Sequence, residues 1–325
     1  MKTEIKAIEY YLPPMIEDGS VLKKDNPEWR IEEIEQKTGV KKRHISDEKQ
    51  TAVDMAIAAA EKLFSGGKTK DDIGFLILIT QSPDYVLPTS ACILQDRLGL
   101  EKSCMAFDIN LGCSGFIYGL AVGSALIETG LAREGLIICS ETYTKYIDKN
   151  DRTCRPIFSD GAAVTLLGLS ESDSLGPFEM GTDGSGYGDL IVPLSGARVT
   201  DDLAQKGKLF MNGAKLFMFT MSMVPQCVAA LLKKSGKQIE DIDLFVFHQA
   251  SKLVLDNIIR RLDLPEEKVF VNMGQIGNTV SATIPIALKD AVDEKRLKEG
   301  DLVMLVGFGV GYSWGGCLIR WGGKL

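Results

Sequence analysis

Histidine is almost missing from this chain: His44 and His248 are the only two in 325 residues. The seven cysteines, at positions 92, 104, 113, 139, 154, 227 and 317, include no closely spaced pair. These shortages exclude a zinc finger or ribbon, whose ligands come as Cys or His pairs at short spacing. No acidic cluster with ligand spacing stands in for them, so no metal site is expected. An odd number of unpaired thiols fits a reducing, cytoplasmic setting. Positive charge is also scarce: 37 Lys and Arg face 44 Asp and Glu, a net charge of −7. That balance argues against broad binding to nucleic acid or an anionic membrane surface. The opening MKTEIKAIEYYLPPMIEDGS lacks the apolar core and small-residue cleavage site of an export signal. The longest apolar helix candidate, residues 116–127, falls short of the ~20 residues that cross a bilayer, so no membrane insertion is expected.

What the chain does have is apolar content for a substantial core, with 45% hydrophobic residues, and one informative cysteine. In FDINLGCSGFIYGLAVGSALIETG, residues 107–130, Cys113 stands where a strand-like segment turns into an apolar helix. A thiol at a helix start faces unpaired N–H groups and the positive end of the peptide dipoles, which predicts a lowered pKa and a nucleophilic sulfur. Gly112, Ser114 and Gly115 are small enough to admit a reacting carbon and leave N–H groups for an oxyanion. A free cysteine is also a common small core residue, so position alone leaves both readings open. Gly115, Gly119 and Gly123 recur at four-residue intervals, suiting a helix packed closely at the centre of a layered protein.

An internal repeat organises the rest. A shift of 169 residues lays GKTKDDIGFLILIT (67–80) over GKQIEDIDLFVFHQ (236–249), and a shift of 166 lays 125–139 over 291–305. Helix candidates precede the first pair of segments, at 51–64 and 220–234. Alternating strand and helix patterns predict parallel sheets covered by helices, in an N-terminal half, 1–170, and a C-terminal half, 171–325. The boundary is drawn in the Ser-, Gly- and Asp-rich stretch 169–189. In the second half, His248 ends an apolar strand in LFVFHQAS, and Asn278 lies in a Gly-rich turn before another helix candidate. The carboxyl ends of parallel strands are where α/β proteins gather ligands. A packed histidine and a turn asparagine are the plainer readings of each alone.

The combination of NLGCSGF, FHQAS and GNTVSA with the terminal GFGVGYSWGG (307–316) resembles β-ketoacyl-acyl-carrier-protein synthase III, a condensing enzyme of the thiolase superfamily. The resemblance runs from TGVKKRHI (38–45) through DGAAV (160–164) and DGSGYGDL (183–190) to the end of the chain. It implies a thiolase-like α/β fold of two duplicated halves in αβαβα layers. It also implies a Cys113, His248 and Asn278 triad, with the backbone N–H groups of Cys113 and Val310 as the oxyanion hole. Acyl-CoA or acyl carrier protein would donate to Cys113, and a malonyl carrier protein would then lose CO₂ and condense. No cofactor is implied beyond these coenzyme A or phosphopantetheine thioesters, and a homodimer is.

Nearby chemistries fail on residue identity. His44 has no motif for a Cys-His-His enzyme, GFGVG has no second cysteine for a thiolase, and ITQSPDY (79–85) offers Gln81 and Asp84 where a hydroxymethylglutaryl synthase needs glutamate. GFGVG is no dinucleotide fingerprint either, because only 14 residues follow Gly311. An acyltransferase of the same fold, or a non-catalytic relative that binds an acyl carrier, is the alternative. Substrate contacts are assigned to Lys37, Arg152, Lys252, Phe308 and, across the dimer, Leu87. Family members place Trp and Arg where this chain has Glu33 and Lys37, and Asn and Arg where it has Ser251 and Leu253. Arg155 adds a further charge, read as a surface residue.

Overall fold

The computed structural model describes residues 2–172, 174–193, 195–198 and 207–322. The first half runs β1 (Lys2–Tyr11), β2 (Met15–Asp18), α1 (Gly19–Asp25), α2 (Ile31–Thr38), β3 (Lys42–Ile45), α3 (Ala52–Ser65), β4 (Ile73–Ile79) and α4 (Ser90–Leu98). It continues with β5 (Met105–Ile109), α5 (Gly115–Glu128), β6 (Glu134–Glu141) and β7 (Gly161–Ser170). The second half has β8 (Leu175–Thr182), the short β9 (Leu190–Ile191) and β10 (Phe210–Met211), α6 (Gly213–Ser235), β11 (Leu244–Phe247) and α7 (Lys252–Leu262). It ends with α8 (Met273–Ile276), α9 (Thr283–Asp293), β12 (Leu302–Gly309) and β13 (Ser313–Arg320).

The repeat in sequence is a repeat in topology. The first sheet has the order β1-β7-β6-β4-β5 and the second, read the same way, β8-β13-β12-β11. A parallel bridge from Phe245 to Val269 stands where β5 stands in the first. Pairings β6-β4, β4-β5 and β12-β11 are parallel, while β1-β7, β7-β6, β8-β13 and β13-β12 are antiparallel. The parallel strands read IGFLILI and LFVF because both faces are covered, leaving no solvent side for alternation.

Two helices, α5 and α9, lie between the sheets, and each contacts strands of both. Their central core joins Phe75, Ile77, Phe116, Ile117, Ile286, Leu288, Val303 and Leu305. Each such fully buried side chain contributes about 1.5–3 kcal/mol relative to exposure. Outside, α3 and α4 cover the first sheet through Met55, Ala59 and Leu94, and α6 and α7 cover the second through Val228, Leu231 and Ile258. The layers are therefore αβαβα. The α5 glycines let helix and sheet approach closely: a Cβ on Gly119 would come within 2.5 Å of Ile79 Cδ1.

Among the described residues the longest apolar helix is not 116–127 but α6, whose 23 residues are long and apolar enough for a membrane by length and composition. Its inner face, Phe219, Val224, Cys227, Val228 and Leu231, packs on the second sheet instead. Its polar interruptions and Pro225 hide that length from a reading of unbroken apolar runs.

Candidate active site

Cys113 stands two residues ahead of α5, on the connection from the carboxyl end of β5. Ser114 occupies the position before the helix without capping it, and its Oγ instead lies 2.7 Å from Ser313 Oγ, tying that start to β13. The glycines of GFGVG bring β12 against the cysteine. A Cβ on Gly309 would come within 2.9 Å of the Cys113 sulfur, and one on Gly307 within 2.6 Å of the Cys113 carbonyl oxygen. On the other side a Cβ on Gly112 would meet Gln81 Oε1 at 2.5 Å. Small residues are required here because two sheets and a helix start converge on one sulfur.

A cavity of about 270 Å³ opens on that sulfur, lined by Cys113, His248, Asn278, Phe308, Gly309 and a wall of Ile157, Phe158, Leu190, Leu216, Phe217 and Val254. His248 is buried directly after β11, and its ring meets Phe308 edge-on at 5.5 Å. His248 Nδ1 lies 2.7 Å from Thr283 Oγ1, at the start of α9. Asn278 Nδ2 lies 3.5 Å from His248 Nε2 and donates to the Ala250 carbonyl at 3.4 Å. Val280 N donates to Asn278 Oδ1 at 2.9 Å. Sulfur, imidazole and carboxamide, drawn from both halves, thus line one apolar chamber.

Electrostatics correct one expectation. Burial, and then the Glu141 carboxylate, push the Cys113 thiol up to about 12, and the N–H groups of Val310 and Cys113 that bond the sulfur only partly offset them. The helix start does offer donors, but loss of water outweighs it, so the resting sulfur is a thiol. Burial likewise pushes His248 down to about 3, so its imidazole is neutral.

Residues 107–184 match the family model of 3-oxoacyl-[acyl-carrier-protein (ACP)] synthase III, and residues 232–321 that of its C-terminal part. A beta-ketoacyl-[acyl-carrier-protein] synthase III of Natranaerobius thermophilus is 39% identical over 298 residues, spanning 89% of this chain and 90% of that protein. The chain belongs to the 3-oxoacyl-[acyl-carrier-protein] synthase III family. Solved structures agree. A 3-oxoacyl-(acyl-carrier-protein) synthase III superposes with a TM-score of 0.93 at 42% identity, covering 99% of this chain and 100% of that one. A 3-oxoacyl-(acyl-carrier protein) synthase of Burkholderia xenovorans LB400 gives 0.95 at 35% identity, covering 100% and 95%.

Within this synthase III frame the assigned substrate residues separate. Phe308 lines the cavity. Lys37, at the end of α2, and Arg152, beside the cavity residue Thr153, are exposed and outside its wall. Lys252 lines a different, larger groove of about 740 Å³ and pairs with Asp256 at 2.5 Å. Its two neighbours, Ser251 and Leu253, line the cavity instead. Leu87 is 80% exposed in the loop after β4, away from the cavity of its own chain. Arg155 is no surface residue: it is buried and pairs with Glu17 at 2.7 Å and Asp25 at 2.5 Å. A carboxylate pair draws it inward, which its sequence neighbours do not reveal.

Sequence reasoning missed Glu141 and Thr283. Glu141 ends the apolar strand EGLIICSE and is fully buried. A polar residue closing a buried strand was the very signal that singled out His248, and it would have found Glu141 too.

Proposed function

We propose that this protein joins an acyl thioester, donated by coenzyme A or an acyl carrier protein, to a malonyl thioester on acyl carrier protein with loss of CO₂, giving a 3-oxoacyl thioester for fatty acid biosynthesis. One observation carries the reading: Cys113, His248 and Asn278 line a single apolar cavity while the Cys113 and Val310 N–H groups bond the sulfur.

In the first half-reaction the Cys113 sulfur attacks the donor carbonyl, and the tetrahedral oxyanion sits on the two backbone N–H groups. Donors of this kind are worth about 3 kcal/mol each. The thiol proton ends on the departing thiol, and the acyl group stays activated as a thioester. In the second, the malonyl carboxylate leaves as CO₂ and its bonding electrons form an enolate. Asn278 Nδ2 and His248 Nε2 are the donors for the enolate oxygen. Thr283 Oγ1 has one proton for two acceptors, His248 Nδ1 at 2.7 Å and the Val280 carbonyl at 3.1 Å; given to Nδ1, it leaves Nε2 carrying its hydrogen toward the cavity. The carbanion attacks acyl-Cys113, the C–S bond breaks, and the thiolate takes a proton from solvent. Departing CO₂ supplies the carbanion, so the cycle calls on no metal or organic cofactor.

The working form in this proposal is a cytoplasmic homodimer. Support comes from β5, a half-buried strand at the sheet edge, and from the exposed Tyr85, Val86 and Leu87. Leu87 of one protomer would close the acyl end of its partner's cavity.

The test is mass measurement of the Cys113 peptide after exposure to a panel of acyl thioesters, followed by malonyl carrier protein with CO₂ and product recorded. Acylation, CO₂ and chain extension are the expected outcome. Discharge onto a hydroxyl or amine without CO₂ would replace condensation by simple acyl transfer, and no acylation across the panel would leave a binding protein.

A further inference from the structure

Glu141 is the one fully buried carboxylate beside Cys113 that the condensation leaves unused among the described residues. Its two oxygens accept from Gln81 N at 3.1 and 3.3 Å, Ser82 Oγ at 2.9 Å and Ser281 Oγ at 3.0 Å, with Thr80 Oγ1 at 3.5 Å. These donors come from both halves. Ser82 and Gln81 follow β4, whereas Ser281 lies three residues beyond Asn278.

Each branch leads to the reacting groups. Gln81 abuts Gly112, directly before Cys113, and its Oε1 accepts from Tyr143, which packs in one cluster with Cys113. On the other branch Val280 has φ +57, a conformation a β-branched residue holds only under restraint. The restraint is visible on either side: Val280 N is bonded to Asn278 Oδ1, and the next residue, Ser281, is bonded to Glu141.

We propose that Glu141 is a positioning residue for condensation: its carboxyl group clamps the Gln81–Ser82 segment to the Asn278–Ala282 turn, and its charge governs how readily Cys113 ionises. Burial holds the Glu141 carboxyl up at about 8, against donors from Gln81, Ser82 and Ser281. It is therefore mostly the neutral acid at pH 7 and the carboxylate above pH 8. Its titratable surroundings are Asp160, with Arg43 beyond it, Cys139 on β6, Tyr143 and Tyr146, and Cys113. His248, neutral, faces the same cavity. In the neutral form Glu141 donates to Ser281 Oγ, whose own hydrogen has the Ile79 carbonyl at 3.5 Å as acceptor.

The proposal rests on the condensing reaction above, and its test is built to fail separately. Iodoacetamide alkylation of Cys113, followed by mass from pH 6 to 10, needs no acyl substrate. Wild type and Glu141→Gln should coincide near pH 7 and diverge above pH 8, the variant reacting faster at pH 9.5 because the carboxylate that raises the thiol is then absent. Malonyl-thioester decarboxylation at pH 7 should be nearly unchanged in Glu141→Gln and fall ~10²-fold in Glu141→Ala, as expected for misplaced reacting groups. Superimposable alkylation curves, or full decarboxylation by a folded Glu141→Ala protein, would overturn it. Wild type that releases no CO₂ would instead refute the condensing role and leave the alkylation result to decide on Glu141.

Discussion

The two halves share one wiring and differ at the corners where it ends. A shift of 166 residues sets Cys113, ahead of α5, on Thr279, beside Asn278 and ahead of α9. The same shift sets Glu141 on Gly307, and a shift of 169 sets Ile79 on His248. Equivalent corners therefore hold sulfur against a threonine hydroxyl, Gly112 against the Asn278 carboxamide, carboxyl against glycine, and aliphatic chain against imidazole. The duplicated fold brings the corners together, while the chemistry lies wholly in how they have diverged. The first half keeps the nucleophile and a buried acid; the second supplies donors for negative charge and glycines that make room.

The comparison is broken most severely at the sulfur. Cys113→Ala should lose all acyl-enzyme by mass and lower condensation on the order of 10⁴-fold or more. Next come the second half's donors. His248→Ala or Asn278→Ala should cut malonyl decarboxylation by ~10²–10³-fold while acylation of Cys113 persists, and a predominant loss of acylation in both would reverse the assigned roles. The glycine against glutamate pairing is probed by Gly307→Ala, whose Cβ would press within 2.9 Å of Ser114 Cα and 2.6 Å of the Cys113 oxygen. It should destabilise the protein by about 1–3 kcal/mol, read as a lower urea midpoint with unchanged slope.

A last effect concerns pH. Folding raises the Glu141 pKa from an ordinary 4.5 to about 8, so the folded state holds a proton that the unfolded chain releases between those values. Its contribution to stability is fully present below pH 4.5 and is lost as pH rises through 8. Thermal midpoints of wild type and Glu141→Gln should thus keep a constant gap below pH 4.5 and shift apart as pH rises from 4.5 to 8, in favour of the glutamine variant. A gap that stayed constant over that range too would mean the carboxyl is ionised throughout it.

The architecture was legible because it rests on patterns that repeat: the two aligned segments mark β4 with β11 and β6 with β12, and their apolar runs announce buried strands. Cys113 and His248 were legible because each follows a strand and precedes a helix, Asn278 because it stands in a Gly-rich turn ahead of a helix, and their motifs occur in family order. The thiol's ionisation was not. The helix start that lowers it is local and written in neighbouring residues, whereas the burial and the Glu141 carboxylate that raise it come from segments far along the chain. Lys37, Arg152 and Lys252 show the same limit, since a motif position says nothing about which wall a long side chain reaches.

Because α5 and α9 each touch both sheets, the central core is held in common, although each sheet keeps an outer core of its own. Cutting the chain between Ser170 and Leu175 would bare an oily sheet face on each fragment, so gene duplication here left two copies that can no longer live apart, and melting should proceed in a single step.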